Sequence, residues 1–337
     1  MIFHSGKFSG WKDVYLIVFL PIPCKGDIAM FKRCIAIIAA LALFLSGAPL
    51  ALADLPKPIT PIPWEELPPV VQGQHHYLLL CVDQWNGNTK NLGNTDGMVL
   101  VTLDTRTKRL MLTSFSREML VQRPDGVTGR VTYIAKNYGP EALLRVLSTH
   151  FGVRIEKYML FDMNSVQSII DALGGVDITV TNAEANYLKR YAIPDDSTVP
   201  QMDHAGTYHF RGHSAVIYMR IRKVGGGGDL MRTQRVRTVL STLADTCRSI
   251  TLDGALDLLD AVMQNNLMTN LTAGEMLEAV NYAMELRGTT MEELQIPFEG
   301  AYTPITYAGM ATREIDFDAC RKAVWDYLEN SFLVADD

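Results

Sequence analysis

The chain reads as an α/β protein, a three-layer α/β/α sandwich around a mixed central β-sheet. Strand-like and helix-like runs alternate along it, the pattern of a sheet covered by helices on both faces. The short stretch Asp104-Thr-Arg-Thr-Lys108 reads as a hairpin between two strand-like runs, so the sheet is expected to be mixed rather than purely parallel. A length of 337 residues, with 48% hydrophobic and 20% charged, supplies enough apolar side chain for a sizeable core.

Three strand-like runs open the folded body: Tyr77–Asp83, Gly97–Asp104 and Arg109–Ser116. Each is β-branched or Leu-rich and bounded by turn residues. Pro140–Phe151 has helical spacing and stops at Gly152, and Lys157–Asp162 reads as a short strand. Ser165–Leu173 is an expected helix capped by Gly174-Gly175, followed by a strand over Val176–Val180. Residues 182–213 are polar and read as an irregular surface excursion. Ala215–Arg222 reads as a strand, or as a helix end leading into one. Helices are expected over Leu230–Arg248, Leu252–Asn265, Ala273–Leu286 and Phe317–Leu333. Pro297 confines a strand at Leu294–Phe298 to a sheet edge.

The N-terminus bears on the compartment. Lys32-Arg33 precede an apolar run from Cys34 to Gly47, then a small-x-small site at Ala51-Leu52-Ala53. That order is a secretory signal peptide, and residues 30–53 serve equally as an uncleaved membrane anchor. Met30 would be a natural start for this segment, so residues 1–29 are expected to be an upstream extension. Six prolines within residues 54–73 read as an extended tether. Residues 74–250 form the expected catalytic body, with 251–337 a helical part packed on the same domain. Beyond the signal segment the cysteines are Cys81, Cys247 and Cys320: no disulfide framework, although Cys247 and Cys320 could pair.

The chemistry concentrates in arginines and aspartates. Tyr218-Met-Arg220-Ile-Arg222 is followed by Gly225 to Gly228 and then by Asp229-Leu-Met-Arg232-Thr-Gln-Arg235. On a strand Arg220 and Arg222 share a face, and on a helix Arg232 and Arg235 do. Guanidinium groups brought together repel unless an anion sits among them, and their planar fork suits phosphate oxygens. Unrelated surface ion pairs would give the same pattern. Asp83 ends the first strand, Asp96 precedes the second and Arg117 ends the third. If those strands run antiparallel in turn, all three meet at one sheet edge, where ligands of open α/β sheets bind. Each aspartate taken alone reads as an ordinary turn or cap residue. A net charge of −6 disfavours a general nucleic-acid binder, so the arginines suit a small, highly charged ligand. No zinc-type Cys/His spacing is present, and a metal here is expected to be a hard ion such as Mg²⁺ held by carboxylates. Gly225–Gly228 reads either as a loop that closes over substrate or as a plain linker.

These pieces resemble the LytR-CpsA-Psr family. The matching stretches are Tyr77-Leu-Leu-Leu-Cys-Val-Asp83, Asn94-Thr-Asp96-Gly-Met-Val-Leu-Val, Leu112-Thr-Ser-Phe-Ser-Arg117-Glu and Tyr138-Gly-Pro-Glu-Ala-Leu-Leu. They continue in Ile170-Asp-Ala-Leu-Gly-Gly-Val-Asp177-Ile-Thr-Val, the segment Phe210 to Arg222, and Asp229 to Arg235. The resemblance covers about residues 76–250. It implies an α/β/α domain outside the cytoplasmic membrane, secreted or anchored at its outer face. It also implies transfer of a glycopolymer, such as a wall teichoic acid or capsule chain, from an undecaprenyl-pyrophosphate carrier to a sugar hydroxyl of peptidoglycan. The polyprenyl tail would lie in an apolar tunnel between sheet and helices.

Carried over by position, Asp83 and Asp96 would hold Mg²⁺ and the head group, while Arg117, Arg130, Arg220, Arg222, Arg232 and Arg235 would line the pyrophosphate. Asp83, Arg117, Arg220 and Arg222 would carry the catalysis, Asp83 by taking the attacking hydroxyl's proton. Several positions depart from the family pattern. Asn94 stands where arginine is typical, Arg130 for lysine, Glu118 for aspartate, Thr132 for asparagine, and Val236 and Arg237 for two glutamines. Those departures leave room for a relative that binds such lipids without transfer, or that hydrolyses them.

Overall fold

The computed structural model describes residues 56–85, 88–191, 202–225, 228–247, 249–265 and 268–329, which belong to one compact unit. The signal or anchor segment and the upstream extension lie outside the described residues. The elements in chain order are β1 (Gln74–Val82), β2 (Thr95–Asp104), β3 (Arg109–Phe115), β4 (Leu120–Gln122), β5 (Thr128–Arg130), α1 (Ile134–Tyr138), α2 (Pro140–Phe151), β6 (Lys157–Phe161) and α3 (Met163–Ala172). They continue with β7 (Val176–Val180), α4 (Asn182–Tyr191), β8 (Gly206–Phe210), α5 (Gly212–Met219), α6 (Gly228–Cys247), α7 (Leu252–Asn265), β9 (Met268–Thr269) and α8 (Ala273–Glu285). The last are β10 (Met291–Ile296), β11 (Tyr302–Tyr307), β12 (Met310–Ile315) and α9 (Phe317–Glu329).

The central sheet has six strands in the order β10-β3-β2-β1-β6-β9. β2 is antiparallel to both β1 and β3, while β6 runs parallel to β1 and β10 parallel to β3. The sheet is therefore mixed, and β1 and β3 leave at the same edge, as the hairpin reading requires. Strand alternation gives the sheet two apolar faces. Leu78, Leu80, Val82, Met98, Leu100, Met111 and Leu160 point into the core shared with α2 and α9. Leu79, Cys81, Val99 and Met159 point the other way, toward α3, α6 and α7.

Local chemistry sets the helix ends. α2 has Pro140 in its first turn, where a missing N–H costs nothing, and ends at Gly152 with φ 71°. Asp162 caps α3 by accepting from the Ser165 amide at 2.8 Å, so the helix starts two residues before the expected Ser165.

Several sequence expectations change. Residues 182–213 are not wholly irregular: α4 and β8 lie within them, and residues 192–201 fall outside the described residues. Ala215–Arg222 is a helix end rather than a strand, with Arg220 as its C-cap. The apolar run is too short for periodicity to separate the two. The C-terminal part is not only helical. It supplies β9 and β10 to the two edges of the central sheet, and the β11–β12 hairpin besides. β10 ends just before Pro297, as an edge strand with that proline must. The proline-rich stretch is docked rather than extended in solvent. Leu67 is buried, and Arg154 donates to the carbonyls of Trp64 and Leu67 at 3.1 Å each. Cys320 is a buried free thiol, its pKa pushed up to about 12 by burial first and by Asp316 second. The Cys247 side chain lies outside the described residues.

Candidate functional site

The site lies off the carboxyl ends of β1 and β3, where the chain brings four distant segments together. Asp83 follows β1, and its amide donates to the Asn94 carbonyl at 2.8 Å, which closes the connection to β2. Gly93 makes that closure possible: a Cβ there would stand 2.9 Å from the Asp83 carbonyl oxygen. Asp96, the second residue of β2, is the hub. Its Oδ1 accepts from Arg117 at 2.7 Å. Its Oδ2 accepts from Arg222 at 2.7 Å and Arg232 at 2.6 Å, and its carbonyl takes a second bond from Arg232 at 2.9 Å. Arg220 donates to Asp83 at 2.9 Å and lies over the Trp85 ring, 5.7 Å from its centroid.

Burial and exposure divide these groups. The Asp96 and Arg232 side chains are each 6% exposed, whereas Arg220 and Arg222 are 41% and 43% exposed and Asp83 34%. The buried pair fixes the frame, and the exposed groups face what binds. Burial works to raise the Asp96 pKa. The charges of Arg232 and Arg117, the Arg117 hydrogen bond and Arg222 outweigh it and hold the carboxyl below its ordinary value. Asp96 is thus an ionised anchor for guanidiniums. The Asn94 side-chain oxygen beside it is buried with no hydrogen-bond partner.

Directly beneath this cluster lies an apolar cavity of about 250 Å³. Leu79, Cys81, Val99 and Phe161 of the sheet form one wall, and Ile169, Met219, Val236, Leu240 and Leu243 of the helices form the other. Asp96, Arg220 and Arg232 contribute its polar lining. The Cys81 thiol is pushed up to about 12, by burial first and by Asp96 next, so it is an inert wall atom. Val236, a departure from the family pattern, extends the apolar surface.

Of the eight site residues expected from sequence, Asp83, Asp96, Arg117, Arg220, Arg222 and Arg232 come together. Two do not line this cluster. Arg235 is 2% exposed, and each of its three nitrogens is engaged: Nε by Glu184 at 2.7 Å and the two terminal nitrogens by the carbonyls of Ile221 and Val224 at 2.9 Å. It holds the segment that carries Arg220 and Arg222. Arg130 lies instead against Glu118, at 3.8 Å, and Met310. Arg237 pairs with Glu293 at 3.3 Å, away from the Asp96 hub. Of the Gly225–Gly228 loop, Gly226 and Gly227 are outside the described residues. Sequence reasoning missed Trp85 and Glu184. A Trp two residues after a site aspartate was a usable signal for the first, and nothing local marked the second.

A sheet edge carrying converging arginines above an apolar cavity defines a protein that can hold an amphiphile with an anionic head. The chain belongs to the LytR_cpsA_psr family, whose family model matches residues 64–319. The match runs through β9 to β12, so the C-terminal part is within the family domain. The chain is 26% identical over 190 residues to polyisoprenyl-teichoic acid–peptidoglycan teichoic acid transferase TagV of Bacillus subtilis, covering 54% of this chain and 46% of TagV. It is 28% identical over 229 residues to transferase TagU of Bacillus cereus, covering 66% of this chain and 69% of TagU. The chain thus spans about half the length of TagV. The solved structure of the LytR-CPS2A-psr family protein YwtF (TagT) with bound octaprenyl pyrophosphate lipid shares the fold, with TM-score 0.58 and 19% identity over 77% of this chain and 91% of that one.

Proposed function

We propose that this chain transfers a glycopolymer, together with its phosphate, from a polyprenyl-pyrophosphate carrier to a sugar hydroxyl of peptidoglycan. The reaction takes place at the outer face of the cytoplasmic membrane. The observation that carries the reading is the junction at Asp96, where guanidiniums stand at the rim of an apolar cavity. A polyprenyl tail suits the cavity and a pyrophosphate suits the arginines. The relatives TagV and TagU are named as teichoic acid transferases to peptidoglycan, and TagT is described with octaprenyl pyrophosphate bound.

In the proposed reaction the acceptor hydroxyl oxygen forms a bond to the sugar-side phosphorus. The bond from that phosphorus to the bridging oxygen breaks, and polyprenyl phosphate leaves. Arg220 and Arg222 face the transferred and leaving phosphates, and the charges of Arg117 and Arg232, fixed on Asp96 behind them, add to the field that offsets phosphate charge, which is most of what phosphoryl transfer needs from a protein. Asp83, part exposed and tethered by Arg220, accepts the hydroxyl proton. Asp83 and Asp96 carry the hard oxygen donors that would hold Mg²⁺; both Asp96 oxygens accept from Arg117, Arg222 and Arg232 in the free protein, so Asp96 would reach the ion only once the incoming phosphates draw a guanidinium away. Among the described residues no group of three metal-ligating side chains gathers. When bound, the ion would neutralise phosphate charge.

The test is incubation of the full chain with a lipid-pyrophosphate oligosaccharide and peptidoglycan fragments, followed by mass analysis. Phosphate-linked product supports transfer. Free phospho-sugar assigns hydrolysis instead, and intact donor assigns binding without turnover.

A further inference from the structure

A second cluster of arginines stands beside the Asp96 hub. Glu118 directly follows Arg117. Its Oε1 lies 3.8 Å from Arg130 and its Oε2 lies 3.3 Å from Arg313. The two guanidiniums therefore sit on opposite oxygens of one carboxylate. The fold holds them there. Arg130 ends β5, which pairs with β4. Arg313 lies in β12, and its amide donates to the Glu118 carbonyl at 2.9 Å. Thr132, two residues past Arg130, donates to the Thr95 carbonyl at 2.8 Å, immediately before Asp96. The cluster is thus tied by chain to both Arg117 and Asp96.

Its hydrogen bonding is incomplete. Arg313 is 7% exposed and the Arg130 side chain 12%. Arg130 Nε and Arg313 Nη1 are buried with no acceptor. A further Arg130 nitrogen meets only the Met310 sulfur at 3.8 Å, a weak acceptor. The Arg313 guanidinium lies over Tyr302, 4.7 Å from the ring centroid, and that of Arg130 over Tyr133 at 5.9 Å. Two buried guanidiniums against one carboxylate leave an excess positive charge that arginine cannot shed. Buried donors without acceptors are costly, and an oxyanion offers several acceptors at once. The Glu118 side chain is 20% exposed, so solvent reaches the cluster on its side.

We propose that Arg130 and Arg313, set across Glu118, form a second anion subsite next to the Asp96 hub, which takes a phosphate group carried along the glycopolymer of the donor. The source of the phosphate rests on the transferase reading; the subsite itself does not. Glu118 occupies the subsite in the free protein and is displaced or bridged by the incoming anion. Arg313 comes from the C-terminal part of the chain, so that part contributes to recognition as well as to the sheet.

The experiment is calorimetric titration of the full chain with inorganic phosphate, for wild type, Glu118→Gln, Arg313→Gln and Arg313→Lys. Glu118→Gln removes the competing carboxylate and should tighten phosphate about tenfold, the equivalent of about 1.4 kcal/mol. Arg313→Gln should weaken it about tenfold or more, and Arg313→Lys should retain part of the binding. Unchanged affinity in both Glu118→Gln and Arg313→Gln overturns the subsite. If Arg313→Gln does not fold, Glu118→Gln decides alone. A second arm compares donors bearing a phosphodiester-linked chain with donors bearing a neutral disaccharide. A rise in KM confined to the phosphodiester donor in Arg313→Gln supports the donor chain as the source. Equal KM effects on both donors overturn that assignment and assign the cluster to the pyrophosphate that both donors share. Should no transfer occur in wild type, the titration still reads the subsite, so the two readings fail separately.

Discussion

Replacing Arg222 by Gln separates a working site from a decorative ion pair. Arg222 is 43% exposed and makes a 2.7 Å bond to Asp96, which keeps Arg117 and Arg232 when that bond is lost. An exposed partner in water contributes little to folding, so the stability cost should stay under about 1 kcal/mol. The shift would be visible as a small change in the urea midpoint at constant slope. Activity should respond on another scale. A preorganised donor aimed at developing phosphate charge is worth about 3 to 4 kcal/mol, so transfer should fall roughly 10²- to 10³-fold. The assay is the rate of polymer transfer to peptidoglycan fragments, run beside urea unfolding of the same preparation. Transfer within twofold of wild type would mean that Arg222 does not serve the reaction. So would a loss of several kcal/mol of stability that by itself explains the lost activity.

Arg235→Met should do the opposite, leaving the Glu184 carboxylate, 9% exposed, without its charged partner. The expected loss is about 3 to 5 kcal/mol of stability in urea unfolding. Leu240→Trp should fill the apolar cavity, reducing binding of a long-chain polyprenyl pyrophosphate by tenfold or more while leaving inorganic pyrophosphate affinity within twofold, both by calorimetry. Acidification should destabilise the fold between about pH 6.5 and 4. His76 and His150 are buried, and burial lowers each to about 4. Their neutral forms are favoured in the folded state, so stability is full above the unfolded pKa of about 6.5 and falls as pH drops toward 4. His150 shows why: its Nε2 accepts from the Gln122 amide and its Nδ1 faces the Val146 carbonyl, which leaves no acceptor for a second proton. Urea midpoints across this range check it, and His150→Gln should flatten the slope. Chelation with EDTA should slow transfer if Asp83 and Asp96 hold Mg²⁺, with activity restored by added Mg²⁺.

The sheet core was legible because its strands carry dense apolar runs between turn residues. β1, β2, β3, β6 and β7 fall within three residues of the expected bounds, and α2 matches Pro140–Phe151. The meeting of Asp83, Asp96 and Arg117 followed from two antiparallel pairings alone. Less legible was whatever depends on tertiary partners. α4 is rich in polar residues, and its Glu184 matters only because Arg235 arrives 51 residues later. Arg220 and Arg222 share a site because one caps a helix and the other follows it, not because a strand face unites them. The β11–β12 hairpin escaped notice because Pro304 and a run of polar residues blur its alternation. Arg313 was hidden with it, and no local pattern connects that residue to Glu118.

The most direct measurement is the structure of the chain bound to a polyprenyl pyrophosphate. The expected complex has the two phosphates against Arg220 and Arg222, over Arg117 and Arg232, with the isoprenoid tail running past Cys81, Val99 and Val236 between sheet and helices. A head group seated elsewhere on the protein, or a tail lying outside that cavity, would contradict it.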